Sequence, residues 1–144
     1  MRKIFIVASI MFFLIGCSGS KNNKDGVIEI REKFFLGQVN DIYLNPDDYI
    51  GRTIKLEGLF MNSQADNGED PFYAVYRYGP GGCCGIDGIV GFEAAWPDNI
   101  TKEYPENDSW VEAVGELKKK NLFLYIDLVS LNVLDKRGQE FITR

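Results

Sequence analysis

The sequence contains no histidine, and this absence excludes several kinds of enzyme. A Ser-His-Asp arrangement and a histidine general base both need the imidazole ring. The glycines do not follow the spacing of a phosphate-binding loop or a dinucleotide-binding turn. Several acidic residues lie in and around one irregular connector. These residues are Glu93, Asp98, Glu103, Glu106 and Asp108. A pair of carboxylates can be proposed for hydrolysis only when the distance between them is known, and the sequence does not give that distance. We therefore predict that the protein is not an enzyme.

The apolar run near the N-terminus is too short for a membrane-spanning helix. Residues 4–15 are almost all apolar, which gives about 12 residues, whereas a spanning helix needs roughly 20. Arg2 and Lys3 precede the run, and the small Gly16 follows it. This three-part pattern is typical of a secretory signal. Residues 1–16 are therefore predicted to be a signal peptide.

Cysteine is scarce, with three residues in the chain. The first, Cys17, ends the stretch Leu-Ile-Gly-Cys, which resembles a bacterial lipobox. This resemblance implies cleavage before Cys17 and lipidation with several acyl chains, palmitate among them, because one chain binds membranes only marginally. The membrane lipid would then hold the protein at the extracytoplasmic side of the cell membrane. Residues 17–28 are predicted to be the lipidated cysteine and a flexible tether, and residues 29–144 the folded domain.

The hydrophobic pattern of the folded domain predicts a mainly β fold. Residues 36–44 have the apolar spacing of a short helix, and residues 27–35 suit either a first strand or a lead-in. Five segments with strand patterns follow, at residues 53–60, 72–78, 89–94, 109–117 and 122–134. The lysine-rich residues 118–121 are predicted to form a turn, and residues 96–108 at most a short helix. Gly58 and Gly115 lie inside strand patterns and suggest bulges or sharp bends.

Five short strands with an irregular segment between the third and the fourth favour a small OB-fold-like barrel with a short N-terminal helix. A different five-stranded barrel or a fragment of a sandwich would also fit the pattern.

The stretch YGPGGCCGIDGIVGFE, residues 78–93, places Cys83 and Cys84 side by side and Asp87 three positions later. Thiolates are good zinc ligands and Asp87 could add an oxygen, although zinc usually takes four ligands and a dimer would have to supply more. Adjacent cysteines could instead form a strained, easily reduced disulfide. The third alternative is a turn with two buried thiols, capped by Asp87. The cofactor is therefore unknown, with a zinc-like ion at Cys83 and Cys84 as one candidate.

Several short motifs in this sequence also occur together in a known protein family. The most specific is Cys83-Cys84-x-x-Asp87, preceded by the strand residue Arg77. Less specific ones are Ile50-Gly51-Arg52-Thr53, Gly91-Phe92 and Trp110-Val111-Glu112-x-x-Gly115. On these residues, positions 34–134 resemble the soluble domain of the YcgQ-like family of predicted permease subunits. The resemblance implies an accessory protein paired with a membrane permease. It also makes Arg77, Cys83, Cys84 and Asp87 the positions to test. Independently of the resemblance, we expect Arg77 to form a structural ion pair with Asp87.

Two binding functions compete for such a barrel. OB-folds bind single-stranded nucleic acid or oligosaccharide, and Phe72, Tyr73, Tyr76 and Tyr78 surround Arg77 as stacking aromatics would. However, removing Arg2 and Lys3 from the 16 basic residues leaves 14 against 21 acidic ones, a net charge of −7. That charge disfavours a polyanionic ligand.

The lysines at 118–120 are typical of a solvated turn or of contact with anionic lipid headgroups. We predict a non-catalytic interaction domain, serving as a metal- or thiol-sensing accessory to a transporter or another envelope protein, with nucleic-acid or oligosaccharide binding as the alternative.

Overall fold

The computed structural model describes residues 26–63, 71–80 and 88–142. The predicted signal peptide, Cys17 and nearly all of the tether lie outside these residues. Cys83, Cys84 and Asp87 also lie outside them. In the part of the chain that is described, no helix has the length and apolar character needed to cross a membrane.

One helix and six strands make up the described structure. Strand β1 is Ile28–Ile30, and a turn of 3₁₀ helix at Glu32–Phe34 leads into helix α1, Phe35–Leu44. A second 3₁₀ turn, Pro46–Asp48, follows. The remaining strands are β2 (Thr53–Ser63), β3 (Phe72–Gly79), β4 (Gly88–Ala95), β5 (Trp110–Lys120) and β6 (Phe123–Val133).

Five of the strands close into a barrel. Strand β2 pairs with β3, β3 with β4, β4 with β6, and β6 with β5, which returns to β2. Every pair is antiparallel except β4–β6, which is parallel. Five strands in a closed barrel with this order form an OB-fold. The predicted fold class, an OB-like barrel with a short N-terminal helix, is confirmed.

The barrel core comes from the alternation of apolar residues that the sequence shows. In β2 the side chains of Ile54, Leu56 and Phe60 are buried, while Lys55 and Glu57 on the opposite face are partly exposed. Helix α1 packs against this core through Phe35, Val39 and Ile42, which lie on one face because they are three or four residues apart. The helix ends before Pro46, a residue that disfavours helical geometry in the position before it.

Three local predictions need correction or refinement. The turn predicted at residues 118–121 is wrong, because β5 runs on to Lys120 and pairs there with Phe123, so that Asn121 and Leu122 alone make the turn. A two-residue hairpin loop suffices when one residue accepts a positive φ, and Asn121 has φ 57°. Residues 27–35 form both a short strand and a 3₁₀ turn rather than one element. Residues 96–108 contain no helix.

The strand glycines lie where another strand approaches too closely for a side chain. The pairing of β5 with β6 shifts register at Val114/Gly115, which confirms the bulge predicted at Gly115. A Cβ atom on Gly58 would lie 2.6 Å from the carbonyl oxygen of Tyr76. Gly58 lies where β2 leaves its partner β5 and begins to pair with β3. Both glycines therefore mark places where the barrel wall changes direction.

Candidate functional site

The segment that carries the two adjacent cysteines joins two strand ends that the structure describes. Gly79 at the end of β3 pairs with Gly88 at the start of β4. Residues 80–87, with Cys83, Cys84 and Asp87 among them, connect this pair. No described residues form a cluster of three or more Cys, Asp or Glu side chains that could hold a metal ion. The three interpretations of the cysteines concern residues outside the described ranges and stay predictions.

Arg77, the proposed supporting residue, is a buried charge with several partners. Its side chain is 2% exposed. The Nε atom donates to the carbonyl oxygen of Glu57 at 2.9 Å, and Nη1 donates to the carbonyl oxygen of Gln139 at 3.0 Å. Nη1 also lies 3.3 Å from the Glu32 carboxylate. Arg77 therefore joins β2, the N-terminal 3₁₀ turn and the C-terminal segment to β3.

Two aromatic rings enclose the same guanidinium group. Its central carbon lies 4.6 Å from the centroid of the Phe35 ring and 4.9 Å from that of Trp110. Such cation–π contacts are strongest where water is excluded. Burial lowers the pKa of Arg77, against the effect of Glu32, but an arginine stays charged at any physiological pH. The group is enclosed by the protein and acts here as a structural cation.

Glu32 is the carboxylate that the sequence did not reveal. It accepts a hydrogen bond from the backbone N–H of Gln139 at 2.8 Å and pairs with Arg77. The Gln139 N–H, followed by the charge of Arg77, lowers the pKa of Glu32, and partial burial opposes this shift. The expected partner of Arg77 was Asp87, which lies outside the described residues. Glu32 lies 45 positions before Arg77, and no local spacing points to such a pair.

The C-terminal tail, residues 134–142, pairs with the edge of β3 at Tyr78 and covers part of the outer face of that strand, the face that OB-folds use for ligands. The Tyr78 N–H donates to the carbonyl oxygen of Glu140 at 2.8 Å, and the Ile142 N–H donates to that of Tyr78 at 2.7 Å. The Phe141 ring stacks on Tyr78 with centroids 5.1 Å apart. On the same face, Tyr76 is 4% exposed and packs with Leu59 and Trp110, and Leu134 of the tail packs against this cluster.

The aromatics that could stack on bases are therefore mostly engaged within the protein. Tyr73 stacks on Tyr104 with centroids 3.6 Å apart, and Tyr76 and Tyr78 meet edge to face at 5.5 Å. Phe72 is the exposed member of the set, at 41%. Arg77, which lies among them in the sequence, is buried under Phe35 and Trp110. The four aromatics and Arg77 do not form an open binding platform.

A shallow groove of about 490 Å³ brings together some of the acidic residues that the sequence analysis considered. Glu93 on β4 and Asp98 in the following turn both line it. Asp127 also lines it and is ion-paired with Lys118. The groove thus mixes carboxylates with lysines instead of presenting an isolated carboxylate pair.

These features define the chain as an OB-like barrel whose usual ligand face is partly covered by its own C-terminal tail. The family described as the DUF1980 C-terminal domain matches residues 18–133, and the chain belongs to that family. Its curated relatives include UPF0703 protein YcgQ of Bacillus subtilis (strain 168), 24% identical over 123 residues. That alignment covers 81% of this chain but 41% of the relative, so the chain spans less than half the length of YcgQ. The predicted resemblance to the YcgQ-like family is confirmed at this level.

Among solved structures, the second OB-fold domain of replication protein A from Methanococcus maripaludis is similar to this chain. The two share 10% sequence identity with a TM-score of 0.34, over 63% of this chain and 90% of that domain.

Proposed function

We propose that the protein is a non-catalytic binding protein, held outside the cell membrane by lipid on Cys17, and that its barrel acts through the segment joining β3 to β4. The observation that supports this choice is the partial cover over the outer face of β3. The tail covers Tyr76 and Tyr78, and Arg77 is enclosed between aromatic rings. This cover favours binding at another surface, and the cysteine-bearing segment joins the described strand ends Gly79 and Gly88.

In this proposal Cys83, Cys84 and Asp87 form a metal- or thiol-sensing site. Thiolates bind a zinc-like ion well, and adjacent thiols outside the cytoplasm can also cycle through a strained disulfide. The proposal also gives the protein an accessory role beside a larger membrane protein such as a transporter, which is what the resemblance to the YcgQ-like family implies. Arg77 would support the site indirectly, because its contacts fix the end of β3 from which the cysteine-bearing segment continues.

Membrane anchoring is tested by changing the proposed lipidated residue. The Cys17→Ser protein should move from the membrane fraction to the soluble extract, because no thiol remains there to carry acyl chains. The matched control, Cys83→Ser/Cys84→Ser, should remain with the membrane. Full retention of the Cys17→Ser protein in the membrane fraction would overturn the anchoring proposal.

The metal or thiol role is tested by thermal unfolding of a chain that begins at Ser18. A ligand that binds only the folded state raises the melting temperature. Stoichiometric Zn²⁺ should raise it, or dithiothreitol should change it, and either response should vanish in Cys83→Ser/Cys84→Ser. Identical melting curves for the wild type under all these conditions would contradict the role.

The alternative function is binding of nucleic acid or oligosaccharide, and the cover over the outer face of β3 disfavours it. The test is fluorescence anisotropy with a labelled single-stranded oligonucleotide. It is done at low salt, where binding is strongest, because phosphate contacts weaken as the salt concentration increases. We expect no saturable change in anisotropy. Saturable binding that Phe72→Ala abolishes would favour the alternative, and a catalysed turnover that depends on Glu93 or Asp98 would overturn the non-catalytic proposal.

A further inference from the structure

The hairpin between β5 and β6 exposes two large apolar side chains at its tip. Leu122 is 87% exposed and Phe123 is 70% exposed. Lys120 and Phe123 form the last residue pair, so the tip, defined here as residues 119–123, consists of the tight turn and its flanking residues. Adjacent exposed apolar side chains of this size mark contact surfaces more often than single ones do.

Basic side chains lie directly next to this apolar pair. Lys119 and Lys120 are exposed, and no acidic residue occurs from position 117 to position 126. Lys118, one residue further from the tip, is ion-paired with Asp127. The whole chain has a net charge of −5, so the tip is a local exception to an acidic protein. Lysines beside exposed leucine and phenylalanine suit an interface that is negative at its surface and apolar beneath.

The tip lies at the end of the barrel where the chain enters the domain. Strand β1 runs parallel to β2 with Ile28 opposite Ile54, and Ile54 is opposite Gly115 on β5. From there β5 runs toward the tip, in the direction that β1 comes from. The sequence from Ser18 to Gly26 is nine residues, which can span at most about 32 Å. A lipid on Cys17 would therefore hold this same end near the membrane.

On its β2 side the hairpin also projects beyond the neighbouring strand. The Gly51 N–H donates to the carbonyl oxygen of Leu117, and past that residue β5 pairs with β6 alone. Three further residues carry the strand about 10 Å outward. The acidic Asp47 and Asp48 lie in the turn just before Gly51. On the β4 side, Glu93 and Asp98 line one groove with Lys120 and offset part of its charge.

We propose that the tip of the β5–β6 hairpin is a second membrane contact, which inserts Leu122 and Phe123 into the interface of an anionic bilayer while Lys119 and Lys120 meet its headgroups. This inference rests on the proposed lipid anchoring for its orientation. The contact would hold the barrel against the membrane instead of letting it move freely on the tether.

Sedimentation with lipid vesicles tests the contact without the lipid anchor. The chain from Ser18 is suitable because every described contact lies within residues 26–142. It should bind vesicles containing phosphatidylglycerol more tightly than pure phosphatidylcholine vesicles. Leu122→Ser/Phe123→Ser should weaken the binding about ten-fold or more, and Lys119→Gln/Lys120→Gln should weaken it about five-fold for each charge removed.

Val129→Ser/Val133→Ser is the matched control, because these β6 side chains are 69% and 60% exposed but lie away from the tip. This variant should bind as the wild type does. Equal binding by wild type and Leu122→Ser/Phe123→Ser, or no preference for the anionic vesicles, would overturn the proposal. Such a failure leaves lipidation of Cys17 unaffected, whereas the absence of lipid on Cys17 would not change the result with vesicles.

Discussion

Arg77 shows how a single charged residue in a strand of this barrel serves the fold. Its partners come from three separate parts of the chain, Glu32, Glu57 and Gln139. The sequence placed Arg77 near the cysteines and indicated a charged partner. It could not identify Glu32, because that contact depends on how the N-terminal 3₁₀ turn packs against the finished barrel. Distant pairs of this kind leave no periodic signal.

Replacing Arg77 with lysine should reduce the free energy of unfolding by about 2–4 kcal/mol. An ammonium group cannot reproduce both the Nε hydrogen bond to Glu57 and the stacking between Phe35 and Trp110. Urea unfolding measures the difference. The control is Lys55→Met, which removes a partly exposed pair with Glu112 and should cost less than about 1 kcal/mol. A loss for Arg77→Lys no larger than that of the control would contradict the structural role.

Glu32 should make stability depend on acidic pH. Its pKa in the folded protein lies below the ordinary value of 4.5, because the Gln139 N–H and Arg77 favour the ionised carboxylate. The folded state thus binds the proton less readily than the unfolded state, so the stabilisation is fully present above about pH 5 and is lost as the pH falls through the folded pKa. Urea unfolding between pH 3 and pH 7 should show the advantage of the wild type over Glu32→Gln shrinking below pH 4.5. A constant difference across that range would contradict this account.

At the scale of elements, alternation located strands such as β2, whose apolar residues recur with period two because one face lies in the core. Strand β3 has four consecutive buried residues and no such period, and its aromatic content identified it instead. The β5–β6 turn was misplaced because lysines 118–120 look like loop residues, whereas a strand at the rim can carry them on exposed positions. Strand β1 has three residues, which is too short to give a period. The cover over β3 was also missed, because residues 134–142 carry no strand pattern.

Two glycine substitutions should change stability in opposite directions. A Cβ atom on Gly91 would lie 2.0 Å from the carbonyl oxygen of Val75, so Gly91→Ala must push β3 and β4 apart. We expect it to cost more than about 2 kcal/mol. Gly37 in α1 has open space around its Cβ position, and Gly37→Ala should stabilise the protein by about 0.5–1 kcal/mol. Equal effects of the two variants on the urea midpoint would contradict the packing described here.

At the scale of the whole molecule, both the predicted entry of the tether and the exposed hairpin tip lie at one end of the barrel. The strand ends Gly79 and Gly88 lie toward this end as well, because β3 runs antiparallel to β2 and β4 antiparallel to β3. If the proposed lipid anchoring holds, the hairpin tip and the strand ends Gly79 and Gly88 would face the membrane together.

The most direct test of the central claim is the intact mass of the chain from Ser18, purified without reductant or chelator. The mass is measured under native and denaturing conditions, before and after thiol alkylation. The account predicts that Cys83 and Cys84 are chemically engaged. Either a metal ion is lost on denaturation, or the chain is two hydrogens lighter and resists alkylation, and neither occurs in Cys83→Ser/Cys84→Ser. A native mass equal to that of the reduced, metal-free chain, with both thiols alkylated once it unfolds, would contradict the account.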